Sequence, residues 1–255
     1  MTVPAAAHPL LDELLATIAE RDPGARAASI AQLARAMLGK TVREQLRELP
    51  VDVVYAQLVG IFDFADARGL EPIGVRVVAS QPRGSAAEVN LADAPFLVDT
   101  VRAAVESAGY TIRLLLHPVV GVERAGDGRL VRLVSARETG SRESIMRVEI
   151  DQQLDAAASF VLTARIREAL TDLQAIVRDF PAMKATIDQM VVTARRSQAR
   201  YGSEEVAEAV SFLDWLRAEH FVFLGARTYD VRDGQASVRA GSGLGMLADE
   251  SSSRF

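Results

Sequence analysis

The chain has no cysteine among its 255 residues, which excludes disulfides, zinc–thiolate sites and cysteine nucleophiles. That absence suits the cytoplasm, the expected location. Histidine is scarce: His8, His117 and His220 stand too far apart in sequence to announce a metal site, so no metal is expected. Of the 29 basic residues all but Lys40 and Lys184 are arginine; they are scattered, which reads as compositional bias. No apolar run approaches the ~18 residues of a membrane span. The N-terminus lacks the basic opening of a secretory signal, and Asp12 and Glu13 interrupt its apolar stretch. The net charge of −5 argues against nucleic acid or an anionic membrane as the main partner.

What is present is apolar: 49% of the chain, enough for a sizeable core in one large domain or two. Leu10, Leu11, Leu14, Leu15 and Ile18 recur at helical spacing, as do Ile30, Leu33, Ala34 and Met37, with Gly39 placed as a stop. After Pro50, Val54, Leu58, Ile61 and Phe62 form a third stripe. The period then drops to two at Ile73, Val75 and Val77, a strand. Leu97, Val101, Ala104 and Val105 return to helical spacing before Gly109. Tyr110 to Leu116 reads as a strand covered on both faces. Asp127-Gly128 marks a hairpin, and Met146, Val148 and Ile150 alternate with Arg147, Glu149 and Asp151. A long stripe, Leu162 to Val177, is expected to break at Pro181. Ser203 looks like the hydroxyl cap of a helix with an acidic first turn. Phe221 to Leu224 reads as a strand, and Asp233-Gly234 as a second hairpin turn.

Helices, then β-α-β-β-β-α, then α-β-β, suggest an α+β fold built from ferredoxin-like sandwiches. The expected organisation is a helical N-terminal segment over 1–69, an α+β module with a helical hairpin over 70–200, and the start of a second α+β module over 201–255.

Few motifs carry chemistry. Gly39-Lys40-Thr41 matches the tail of a phosphate-binding loop, but Ala34 stands where the first glycine is needed and the preceding sequence is helical. Gly243, Gly245 and Ala248 satisfy a loose dinucleotide fingerprint without room for the strand–helix–strand unit behind it. A loop whose glycines permit positive φ is the simpler reading. His117, where an apolar strand meets Pro118, reads as a strand-end histidine with one hydrogen bond. No cofactor site and no catalytic set are expected in this chain. The loop Asp93-Ala94-Pro95-Phe96 is different. It joins a strand to a helix N-terminus, where free N–H groups favour a carboxylate. The simpler alternative is that Asp93 caps the helix, Pro95 starts it, and Phe96 and Leu97 enter the core.

Two blocks of sequence, Asp93 to Arg102 with Arg113 to Val119, and Glu208 to Leu216 with His220 to Gly225, resemble the N-terminal region of the large bacterial NAD-specific glutamate dehydrogenases. The resemblance covers residues 70–255. It implies ACT-like modules linked by long helices, serving regulation and oligomer assembly rather than catalysis. It also implies a parent enzyme that converts L-glutamate and NAD to 2-oxoglutarate, ammonia and NADH in amino-acid catabolism, with NAD bound far downstream. The implied partners are the rest of the parent chain, further copies of it, and an amino-acid effector. ACT domains that bind amino acids use the loop corresponding to 93–96, often as Asp-x-Pro-Gly; here Phe96 stands in place of the glycine. Glutamate dehydrogenases keep their catalytic lysines in glycine-rich surroundings, which neither Lys40 nor Lys184 has, and the chain contains no Gly-Gly pair. The chain reads as a fragment stopping after Arg254-Phe255. The alternative is a free-standing ACT-like amino-acid-binding protein.

Overall fold

The first apolar stripes become three helices: α1 (Pro9–Arg21), α2 (Gly24–Leu38) and α3 (Val51–Ala67). The computed structural model describes residues 9–38, 49–80 and 84–249. The Gly39-Lys40-Thr41 motif, His8 and residues 250–255 lie outside the described residues. Leu14, Ile18, Ile30, Leu33, Leu58 and Ile61 turn into one core, so each helix buries the stripe its sequence carries.

The sheet follows, with strands β1 (Ile73–Ala79), β2 (Ser85–Ala92), β3 (Ile112–Leu116), β4 (Val119–Arg124), β5 (Leu130–Ser135) and β6 (Arg142–Ile150), and α4 (Leu97–Ser107) between β2 and β3. Every pairing is antiparallel, in the order β1-β2-β6-β4-β5, with β3 also on β6. The last strand is thus the central one. One of its edges pairs with β2, and the other with β3 at Arg147–Ile150 and β4 at Arg142–Ser144. Strands β2 and β3 therefore run parallel to each other with β6 between them, and α4 makes the crossover: a split β-α-β unit. The β4–β5 hairpin turns at Asp127-Gly128 as expected. Gly128 has φ +87°, and a Cβ there would lie 2.5 Å from the Gly69 carbonyl carbon. A side chain would meet both strain and collision.

Both faces of the sheet are covered, which the alternation along β6 does not suggest. Leu114, Leu116, Val120, Val122 and Ile145 join α1–α3 in one core. On the other face Val89, Leu91, Met146, Val148 and Ile150 are buried, as are Leu97, Val101 and Val105 of α4, which lies against β3. Arg147 and Glu149, the polar half of that alternation, are 3% exposed each.

Helix α5 (Ala156–Arg196) runs 41 residues and passes through Pro181, where a break is expected. Proline costs a helix interior roughly 3 kcal/mol by losing one backbone hydrogen bond and crowding the carbonyl four residues back. The buried stripe Leu162, Ile166, Leu170, Leu173, Ile176, Met183, Ile187, Val191 keeps its phase across the proline, and that burial outweighs the local cost. The chain divides into two compact units between Leu170 and Thr171, within this helix. The first unit holds α1–α4 and the six-stranded sheet.

The second unit contains the rest of α5, α6 (Gln198–Tyr201) and α7 (Ser203–Trp215). A π-helical turn, Leu216–His220, follows, and then four short strands: β7 (Gly225–Ala226), β8 (Tyr229–Arg232), β9 (Gln235–Val238) and β10 (Leu244–Gly245). Asp233-Gly234 does turn the β8–β9 hairpin, with φ +51° and +76°. Two expectations fail here. Ser203 is the first helical residue rather than a cap: Gly202 precedes it and no side chain caps this end. Phe221 to Leu224 is not a strand, and Phe221, Val222 and Leu224 are largely exposed. Its apolar composition is strand-like, but no strand among the described residues pairs with it; the Leu224 carbonyl accepts a single bond from Met246 N at 2.9 Å.

Candidate functional site

The loop Asp93-Ala94-Pro95-Phe96 lies where expected, between β2 and the N-terminus of α4. Its details differ from either simple reading. The residue before the helix is Phe96, and no side chain caps this end. Asp93 faces elsewhere. Its backbone N–H donates to Arg142 O at 3.0 Å, and its Oδ1 accepts from Ser144 Oγ at 2.7 Å. Phe96 is not core: its side chain is half exposed, while Leu97 is buried. Its φ of +64° and ψ of +9° are left-handed, the conformation glycine adopts freely and other residues at a cost of roughly 1–2 kcal/mol. Phe96 therefore holds a conformation that glycine would take without strain. The Phe96 carbonyl accepts from Thr100 N at 3.0 Å, and as at any helix N-terminus the first-turn N–H groups have no partner within the helix.

Sequence reasoning missed what holds the loop. Ser144, on central strand β6, is fully buried. Its hydroxyl donates to Asp93, so it accepts from His117 Nε2, 2.9 Å away. His117 must then carry its proton on Nε2. An Asp–Ser–His chain in this order has no attacking group, because the serine sits in the middle and out of solvent. It ties the loop to the β3–β4 junction. Burial pushes the His117 pKa below its ordinary 6.5, against the partly opposing charge of Asp93. The folded state thus prefers the neutral ring. This contribution to stability is complete above pH 6.5 and is lost as the pH falls through 6.5 towards the lower folded value. Melting temperature measured from pH 7.5 to 5 should fall more steeply for the natural chain than for His117→Gln; parallel curves would remove His117 from the account.

Beneath α3, the other face of the sheet carries two ionic clusters. In the first, Glu143 is 6% exposed and accepts from Arg68, from Arg124 Nε at 2.8 Å and Nη2 at 2.9 Å, and from Asn90 Nδ2 at 2.9 Å. Burial alone would raise its pKa; the hydrogen bonds from Arg124 and Asn90 and the two cations outweigh that and hold it below the ordinary value. Burial in turn lowers that of Arg68. In the second cluster Arg147 donates to Glu88 at 2.5 Å, to Glu149 at 3.0 Å and to Ser80 at 2.9 Å. Arg76 closes on Glu88, and Arg113 on Glu149. One signal was legible: Arg76, Glu88 and Arg147 are charges of alternating sign at cross-strand positions.

The glycine fingerprint near the end is structural. Gly245 belongs to β10, pairs with Gly225 and has φ +59°; a Cβ there would lie 2.4 Å from the Leu224 carbonyl oxygen. Gly245 N donates to Asp179 Oδ2 at 2.9 Å. With the stronger hydrogen bond from Arg178, this holds the Asp179 pKa at about 2. Among the described residues no group of three or more His, Asp or Glu side chains is placed to hold a metal, and no helix is long and apolar enough to cross a membrane.

Residues 33–166, just over half of the chain, match the family described as glutamate dehydrogenase, ACT1 domain. The matched region spans the sheet, α4 and the Asp93 loop. The chain is similar to the NAD-specific glutamate dehydrogenase of Pseudomonas aeruginosa, 35% identical over 156 residues, covering 60% of this chain and 10% of that protein. It is similar to that of Halomonas elongata, 28% identical over 241 residues, covering 90% of this chain and 15% of that protein. It is also similar to that of Mycobacterium tuberculosis, 25% identical over 175 residues, covering 67% of this chain and 11% of that protein. The chain thus spans 10–15% of the length of these relatives.

Proposed function

The chain belongs to the glutamate dehydrogenase ACT1 domain family, and from that premise we propose that it is a regulatory, non-catalytic segment of a large NAD-specific glutamate dehydrogenase. In this reading the parent enzyme oxidises L-glutamate with NAD and water to 2-oxoglutarate, ammonia and NADH. NAD binds elsewhere in the parent, and the segment serves regulation and oligomer assembly in the cytoplasm. The sheet with α4 is the first ACT-like, ferredoxin-like module, and residues 201–255 begin a second.

The observation that carries the regulatory part is the Asp93 loop. Its backbone keeps the left-handed turn at Phe96 against local preference, and it is held by buried Ser144, itself bonded to partly buried His117. Strain retained and braced in this way is a mark of a functional loop. An amino acid would place its carboxylate on the first-turn N–H groups of α4, and its ammonium near Asp93, whose Oδ2 is not engaged by Ser144. Pro95 and Phe96 would flank it.

The test is calorimetric titration of the chain with each standard amino acid, repeated on Asp93→Ala, alongside an assay for NADH formation from glutamate. Saturable binding of one amino acid, weakened by about tenfold or more in Asp93→Ala, is expected. No NADH should form. Absence of any binding, or binding indifferent to the substitution, would make the loop architectural; turnover by the chain alone would sink the non-catalytic reading.

A further inference from the structure

A cleft of about 400 Å³ opens between α3 and the β1 side of the sheet. Val53, Ala56 and Val78 line its walls, and Asp52, Arg76, Glu88 and Arg147 bring charge to it; Asp52 Oδ1 accepts from Arg21 at 2.7 Å. Small residues leave the space open: Ala56 and Gly60 on the helix, Ala79 on the strand.

Arg76 is held in one orientation. Its Nε donates to Glu88 Oε2 at 2.7 Å, and its Nη2 to the Gly60 carbonyl at 2.8 Å. Its guanidinium carbon sits 4.7 Å from the centre of the Phe64 ring. No acceptor among the described residues bonds to Nη1, and the side chain is 37% exposed. Glu88 is spent, with Oε2 on Arg76 and Oε1 on Arg147. The connected group holds three guanidiniums, Arg76, Arg113 and Arg147, against the carboxylates Glu88 and Glu149. The further carboxylate, Asp151, lies 3.7 Å from Arg113 at the opposite end and is largely exposed. With Asp151 counted the group is neutral, and Asp52 is paired with Arg21, so what the cleft offers an anion is the unengaged Nη1 of Arg76. An arginine already fixed by stacking and two hydrogen bonds, with one amino group free, binds an anion at little further entropic cost.

We propose that this cleft binds a small carboxylate with a short aliphatic body. The carboxylate accepts from Arg76 Nη1, and the aliphatic body lies against Val53, Ala56 and Val78. A cation finds no free carboxylate oxygen on Glu88, and Asp52 at the cleft is largely exposed and already holds Arg21. A phosphate brings a second charge beside Glu88 and nothing to set against the apolar walls. This inference stands on the cleft alone and is independent of any ligand at the Asp93 loop.

The probe is 3-methylbutanoate, titrated calorimetrically into the intact chain at pH 7, with 3-methylbutanamide and inorganic phosphate as comparisons. Saturable binding in the millimolar range is expected for the carboxylate, with the amide and phosphate at least tenfold weaker. Arg76→Gln should weaken binding by about tenfold or more. Ala56→Leu, which fills the cleft from the helix side, should abolish it while Arg76 stays in place. Far-ultraviolet dichroism reports whether each variant is folded, and the arginine variant carries the test should the leucine variant fail to fold. The proposal is overturned by no saturation up to about 20 mM. It is equally overturned by equal binding of the amide or of phosphate, or by binding that survives Arg76→Gln. Binding lost on Asp93→Ala would place the anion at the loop and overturn the cleft.

Discussion

Glu143→Ala is expected to remove about 3–5 kcal/mol of stability, the usual cost of deleting one partner from a buried ion pair. The size follows from what remains. Arg68 and Arg124 would face each other and Asn90 with no anion between them, both largely out of water. Arg68 could not shed its charge cheaply, even though burial lowers its pKa. Its Nη1 would still hold the Glu71 carbonyl, and Arg124 those of Gly128 and Ala65, so neither side chain is free to swing into solvent without breaking further bonds. Glu143→Gln keeps the shape and loses the charge, and should fall between the two. Urea unfolding followed by circular dichroism gives the values, provided the slope is unchanged. A loss below about 1 kcal/mol for the alanine variant would mean that water relieves the arginines and that the cluster is not closed. The same carboxylate sets a pH dependence. Its folded pKa lies below the ordinary 4.5, so its contribution is complete above that value and is lost as the pH falls through the folded one.

Leu97→Asp is expected to cost about 4 kcal/mol, combining the loss of a buried leucine with the entry of an unpaired charge. One effect opposes it. Leu97 is the first residue of α4, and a carboxylate near a helix N-terminus gains about 0.3–1 kcal/mol. Burial is the larger by several fold, since the side chain is 2% exposed. Val101→Asp, a turn further along and fully buried, has no such compensation and should be the more damaging of the two. Thermal melting of both variants decides the matter. An unchanged melting temperature for Leu97→Asp would mean that this face of α4 does not enter the core.

The helical faces were legible because their stripes are long and single-phased: Leu14 and Ile18, Leu58 and Ile61, Leu97 and Val101 all point where the 3.6-residue period puts them. The burial of Arg147 and Glu149 was not. A strand's alternation tells its two faces apart, but it does not say whether the polar face meets water or is roofed by helices, with its charges paired to neighbouring strands. Pro181 misled because a local penalty was weighed without the long-range burial on either side of it. At the candidate site the loop itself was readable from Asp93 and Pro95. The roles within it were not: Phe96 looks like core because it is aromatic, and Asp93 bonds Ser144, 51 residues away, which in turn bonds His117, so no local pattern connects them.

The central position of β6 also bears on how the chain assembles as it is made. The β1–β2 and β4–β5 pairings are local and need only short loops to close. The strand that joins them is the last of the six in sequence, so the two hairpins wait apart until residue 150 has emerged. Until then Glu88, Asn90 and Arg124 have none of their β6 partners, and the hairpin edges that will meet β6 stand open. Insertion of this one strand closes the ladder on both sides and neutralises both charge clusters together, so closure of the first unit is a late and cooperative event in synthesis.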